Sequence, residues 1–233
     1  MTSPVKPRAN ITHVLFDMDG LLLNTEQFYE QVYTEMLAEY GYVFPLSLHA
    51  KLQGGKTSTD AEIIVNEFKL PCTPQQWLDA ALTRLLQLYP TASLMPGAER
   101  FVRHLHNHHI PIAVATGSSN KAFELKTTNH KELFSLFHHI VCAGDDPEVK
   151  HGKPAPDPYL VAAKRFQHHN LSSQNILVFE DAINGVASAK AAGMHCIFVP
   201  DPRITLPKDI EADEILTKLQ DFEPTHWGLP PYE

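Results

Sequence analysis

Short apolar runs rich in β-branched and aromatic residues recur at 11–16, 112–115, 140–143, 176–179 and 196–199. Runs this short, without polar alternation, belong to strands buried on both faces. Amphipathic stretches lie between the later runs: 98–109, where Phe101, Val102 and Leu105 share a face, and 158–168, whose stripe is less clean. Strand, helix, strand in alternation predicts a parallel sheet joined by crossover helices. One connection breaks the rhythm. Between the first two runs Phe28, Val32, Met36 and Leu37, then residues 61–68 and 77–88, keep helical spacing with no strand among them. This predicts a separate helical unit over 26–94, set into a core formed by 1–25 and 95–233, with linkers near 24–25 and 93–97, the second carrying the turn residues Pro96 and Gly97.

A net charge of −8, with Lys and Arg scattered along the chain, leaves no basic surface for a polyanion, so nucleic acid is excluded as a partner. No apolar run reaches the roughly 18 residues that span a bilayer, so no membrane partner is expected. Cys72, Cys142 and Cys196 are widely spaced and form no Cys-x-x-Cys pair, which predicts buried thiols in a reducing compartment. With a polar, proline-bearing start, a cytoplasmic location is the expectation. Of the 14 histidines, His104, His106, His108 and His109 stand close together, and their spread over the predicted helix reads as a solvated surface with no metal role.

In an open parallel sheet, ligands bind beyond the carboxyl ends of the strands. There the chain places Asp17, Asp19 and Gly20; then Thr116, Gly117 and Ser118; then Asp145 and Asp146, with Lys153 following; then Glu180 and Asp181. Each has an ordinary reading taken alone. An Asp-x-Asp-Gly is often a solvated turn, Ser118 or Asp181 a helix N-cap, Lys153 an exposed loop residue. Their arrival at successive strand ends is what those readings leave unexplained. Asp17, Asp19 and Asp181 packed together would repel one another unless a hard divalent cation sat among them. Oxygen donors without His or Cys favour Mg²⁺, which keeps open positions for a substrate phosphate. Lys153 would then neutralise phosphoryl oxygens, with Thr116 and nearby backbone N–H groups as donors.

These motifs, in this order, resemble those of the haloacid dehalogenase superfamily, a group dominated by phosphatases, and the helical insert is similar to its type-one cap. The resemblance implies a Rossmann-like α/β core, an Mg²⁺-dependent phosphomonoesterase activity on a small phosphorylated metabolite, and an aspartyl-phosphate formed on Asp17. It implies Asp19 as the acid that protonates the leaving alcohol and the base that activates water, which requires Asp19 to carry a proton that Asp17 lacks. Mg²⁺ would be held by the Asp17 side chain, the Asp19 main-chain carbonyl and Asp181, with Glu180 as an alternative ligand. Thr116, Gly117, Ser118 and Lys153 would hold the phosphate, and a cap loop with Gly54 and Lys56 would read the substrate. Residues 130–137, 144–154 and 228–233 further resemble a branch of the superfamily that acts on a nucleoside phosphate. Two positions depart from the family pattern: Asn24 stands where Asp is usual at the cap linker, and Gly117 where Ser often follows the Thr. A phosphosugar mutase on the same scaffold would share these residues and differ only in its acceptor. A signalling receiver domain would share the phosphorylatable Asp, but the 96 residues between Asp19 and Thr116 are too many for one crossover helix.

Overall fold

The computed structural model describes residues 7–53, 57–167 and 171–232. In chain order the elements are β1 (His13–Phe16), α1 (Glu26–Ala38), α2 (Leu46–Leu52), α3 (Thr57–Phe68), α4 (Pro74–Leu88), α5 (Ala98–Asn107), β2 (Ile112–Thr116), α6 (Asn120–Lys126), α7 (Lys131–Phe134), β3 (His139–Cys142), α8 (Asp157–Arg165), β4 (Ile176–Glu180), α9 (Ile183–Ala191), β5 (His195–Phe198) and β6 (Glu214–Ile215). The strands form one sheet in the order β3-β2-β1-β4-β5-β6. Every pairing is parallel. β1, β2 and β4 are buried along their whole length, which is why they read as unbroken apolar runs.

Alternate residues divide between two cores. Val14, Phe16, Ile112, Val114, Leu177 and Phe179 meet Phe101, Val102 and Leu105 of α5 on one face. Leu15, Ala113, Val178 and Cys196 meet Tyr159 and Ala162 of α8 and Val186 and Ala189 of α9 on the other. The chain leaves β1 toward β2 and β3 on one side, and returns through β4 to β5 and β6 on the other. The switch therefore lies between β1 and β4, where the carboxyl ends of both open a crevice.

The helices α1 to α4 have a core of their own, including Phe28, Val32, Met36, Leu37, Ile64, Trp77 and Leu85. The stripe Phe28/Val32/Met36/Leu37 is the buried face of α1. α4 starts on a capping box in which the Thr73 hydroxyl accepts from the Gln76 N–H and the Gln76 side chain accepts from the Thr73 N–H. The two chain crossings between this unit and the sheet run side by side: Leu23 bridges Leu94, the Asn24 N–H donates to the Ser93 carbonyl at 2.9 Å, and the Met95 N–H donates to the Leu22 carbonyl at 2.8 Å.

Three features depart from the sequence reading. The helix expected over 98–109 ends at Asn107, and that expected over 158–168 runs Asp157–Arg165, with residue 168 outside the described residues. β6 was not foreseen, being two residues long. His104 is buried rather than solvated, because Pro230 and Tyr232 fold over α5: its Nε2 lies 3.0 Å from the Pro230 carbonyl and its ring packs on Tyr232. Cys142 and Cys196 are buried free thiols, and Cys72 is half-buried. Among the described residues no helix is long and apolar enough to cross a membrane.

Candidate active site

Asp17 follows β1 directly, and its N–H donates to the Phe179 carbonyl at 3.0 Å, so it stays in register with the end of β4. There stand Glu180 and Asp181. The Lys153 ammonium reaches between them, donating to Asp17 Oδ1 and to Glu180 Oε1, each at 2.5 Å. Glu180 is held on all sides: the Tyr159 hydroxyl also donates to Oε1, and the N–H groups of Asp181 and Ala182 donate to Oε2 at 3.1 and 3.3 Å. Asp181 Oδ2 accepts from Gln53 Nε2, on the helical unit, at 2.5 Å. Oxygens of Asp17, Glu180 and Asp181 lie within 4.8 Å of one another, and all three residues are buried. Two glycines make room for them. A β-carbon on Gly20, whose φ is +77°, would overlap the Asp181 carboxyl, and one on Gly185 would overlap that of Glu180.

Three buried carboxyl groups around one ammonium leave an excess of negative charge. Burial pushes Asp17 up to about 7, against the pull of Lys153 and with the repulsion of Glu180 and Asp19. Burial, then Asp17 and Glu180, raise Asp181 well above the carboxylate range. Such a set of oxygen donors fits a hard divalent cation, which would supply the missing positive charge. Glu180 already has both oxygens bonded, so Asp17 and Asp181 are the side chains with capacity for an ion.

Asp19 is arranged differently. Its carboxylate is outside the trio, and Glu180 takes the third place that the sequence reading gave it. The reason is a second buried lysine. Lys126, at the end of α6 and 1% exposed, donates to Asp19 Oδ1 at 2.6 Å, and the Thr25 hydroxyl donates to the same oxygen at 2.5 Å. Oδ2 accepts from the hydroxyls of Ser118 at 2.9 Å and Thr116 at 3.2 Å. Burial works against ionisation of Asp19, yet Lys126 and these hydroxyls bring its pKa below the ordinary value. Their different neighbours thus push Asp17 up and hold Asp19 down.

Lys126 also ties the core to the helical unit. Its ammonium donates to the Tyr29 hydroxyl at 3.2 Å, that hydroxyl is 2.9 Å from the Tyr89 hydroxyl, and the ammonium stands 4.5 Å from the Tyr89 ring centroid.

Of the residues singled out from sequence, Asp17, Glu180, Asp181 and Lys153 come together, and Asp19, Thr116 and Ser118 form the adjoining cluster. Ser119, not Ser118, caps α6, and Ala182 rather than Asp181 is the cap residue of α9. Gly117 lines the same cavity. Gly54 and Lys56 lie outside the described residues. Lys126, Gln53 and Tyr159 were missed. Finding Lys126 requires α6 as a helix capped by Ser119, which turns the lysine's position back toward the strand end. The cavity, of about 410 Å³, opens on Asp17 and Asp19 and extends into the helical unit past Tyr33, Leu82 and Leu86, a size suited to a small metabolite.

A family profile described as haloacid dehalogenase-like hydrolase matches residues 11–193. The chain is 50% identical over 228 residues to (DL)-glycerol-3-phosphatase 2 of Arabidopsis thaliana, across 97% of this chain and 95% of that protein. It is 45% identical over 223 residues to the probable pseudouridine-5'-phosphatase of Drosophila melanogaster, across 95% of this chain and 96% of that protein. Among solved structures, CbbY of Rhodobacter sphaeroides in complex with phosphate shares the fold with a TM-score of 0.72 at 23% identity, over 91% of this chain and 96% of that one.

Proposed function

Because this chain belongs to the haloacid dehalogenase-like hydrolase family, as an enzyme that hydrolyses phosphoric monoesters, we propose that Asp17 is its nucleophile and that it frees phosphate from a small phosphorylated metabolite with Mg²⁺ as cofactor. The observation that carries this reading is the unequal pairing of the two aspartates after β1. Asp17 lies at the mouth of the cavity, shares its ammonium with Glu180, and stands beside Asp181.

An Asp17 oxygen attacks phosphorus, the ester P–O bond breaks, and the departing alcohol takes a proton from Asp19. Water then attacks the aspartyl-phosphate, Asp19 accepts its proton, and cleavage of the acyl-phosphate P–O bond returns Asp17 and inorganic phosphate. Lys126 suits Asp19 to the second half of this cycle, since it favours the ionised base. Acting as the acid requires Asp19 to leave that ammonium. Asp17, Asp181 and the Asp19 main-chain carbonyl would hold Mg²⁺, which offsets the repulsion between a carboxylate and a phosphate dianion. Lys153 faces Asp17 and so supplies charge to the transferring oxygens, and its orientation is fixed by Glu180 and Tyr159. The hydroxyls of Thr116 and Ser118 are engaged with Asp19, so the phosphate meets the backbone at Gly117 first. We read the helical unit over 26–94 as a cap, and Gly54 and Lys56 as substrate contacts from it.

Three relatives at 45% identity or above carry phosphatase names, which supports water over a sugar as the acceptor and leaves the mutase reading without a supporting observation. Their names give the candidate substrates: a glycerol phosphate and pseudouridine 5'-phosphate. With Mg²⁺ present, the protein is expected to release phosphate from at least one of the two, and a chelator to stop it. Asp17→Asn should lower turnover by roughly 10⁴-fold or more while the melting temperature is retained. Full activity in that variant would overturn the assignment.

A further inference from the structure

The far wall of the cavity holds polar groups that the reaction does not use. Asp60 on α3 is 6% exposed and lines the cavity, and its one side-chain hydrogen bond among the described residues comes from the Tyr33 hydroxyl at 3.2 Å. A carboxyl offers several acceptor sites, so most of its capacity is open. His49 on α2 is 3% exposed and lines the same cavity, and its Nε2 has no hydrogen-bond partner among the described residues. Buried polar atoms in native proteins are almost always bonded, so this nitrogen has capacity for a partner that enters the cavity. The wall around these two groups is mixed, with Phe44, Leu82 and Leu86 supplying apolar surface and Thr57 and Ser58 supplying hydroxyls.

The charges in the cavity also constrain its guest. Asp17, Asp19, Glu26 and Asp60 all line it. Lys153 and Lys126 are bonded to carboxylates. Among the described lining residues the remaining basic side chain is the exposed Lys121, on the core side with Gly117 and Ser118. Among the described residues, an anionic group carried past the phosphate would face the Asp60 carboxyl with no unpaired lysine or arginine beside it.

Building on the phosphatase reading, we propose that Asp60 and His49 are specificity-determining residues that bind hydroxyl groups of the released alcohol. The cavity thereby selects an uncharged, hydroxyl-bearing leaving group and rejects one that carries a second anionic group. The carboxyl accepts from a hydroxyl, the imidazole nitrogen exchanges a hydrogen bond with another, and the carbon skeleton packs on Phe44, Leu82 and Leu86.

Three esters of one carbon count test this: glycerol 3-phosphate, propyl phosphate without its hydroxyls, and 3-phosphoglycerate with a carboxylate at the far end. The wild type is expected to favour glycerol 3-phosphate over each of the others by about tenfold or more in kcat/KM. Asp60→Leu should bring the ratio to propyl phosphate near one, through a rise in KM for glycerol 3-phosphate rather than a fall in kcat. Asp60→Asn keeps the shape and removes the charge, and should improve 3-phosphoglycerate relative to glycerol 3-phosphate by about tenfold. It decides the matter if the leucine variant does not fold. Unchanged ratios in the folded variants, or a wild type that takes 3-phosphoglycerate as readily as glycerol 3-phosphate, overturn the inference while the phosphatase reading stands. A wild type inert toward all three overturns the inference, and one inert toward pseudouridine 5'-phosphate as well overturns both.

Discussion

Asp17 and Asp19 are two residues apart, one buried and the other half-buried, each beside an ammonium, and yet they sit in opposite electrical settings. Asp19 has Lys126 to itself, with three hydroxyls filling its remaining acceptor sites. Asp17 shares Lys153 with Glu180 and has Asp181 within reach. The first cluster is neutral and complete. The second is short of positive charge. Proximity in sequence therefore says little about which carboxylate would ligate a cation; what decides is how many carboxylates each lysine must serve.

The sharpest way to break this comparison is to delete one lysine at a time. Lys153→Met should cut turnover by about 10³-fold, since it removes charge from the reacting oxygens. It should also tighten Mg²⁺ binding measured by calorimetry, because three carboxylates then face the ion alone. Lys126→Met should lower kcat by a smaller factor, about 10- to 100-fold, and leave Mg²⁺ affinity within about threefold. It should also cost roughly 3 kcal/mol of stability in urea titration, from a carboxylate left buried without its partner. Equal effects of the two variants on Mg²⁺ would show that the clusters are one.

The smallest effect lies further out, at Asp60, which has no ammonium at all. Burial raises its pKa from 3.8 to about 7, so the folded protein holds this proton more tightly than the unfolded chain. Its contribution to stability is complete below pH 3.8 and is lost as pH rises through about 7. Between pH 6 and 7 the wild type should lose roughly 1 kcal/mol more than Asp60→Asn, read as the difference in denaturation midpoints. A parallel pair of profiles would show that Asp60 is ionised throughout.

The strands were legible because a strand buried on both faces is a continuous apolar run, and the acids at their ends were legible because they follow those runs directly. Lys153 could be placed with them, being carried by a motif. Lys126 could not. It belongs to a helix of seven residues with little apolar periodicity, and its role exists only once that helix has packed against β1's end. Gln53 and Tyr159 reach Asp181 and Glu180 across 128 and 21 residues of chain, contacts that no local pattern encodes. His104 was misread for a similar reason, since the cover over α5 comes from the far end of the chain.

Gly185 has no access to the cavity's guest and carries no functional group. Even so, the smallest side chain there would evict the Glu180 carboxyl from its seat. Glu180 steers Lys153, and Lys153 faces Asp17. A single methyl group on α9, behind the sheet end, would thus be felt at phosphorus through a relay of three residues. Tolerance to mutation in this enzyme is set as much by that hidden clearance as by the groups that do the chemistry.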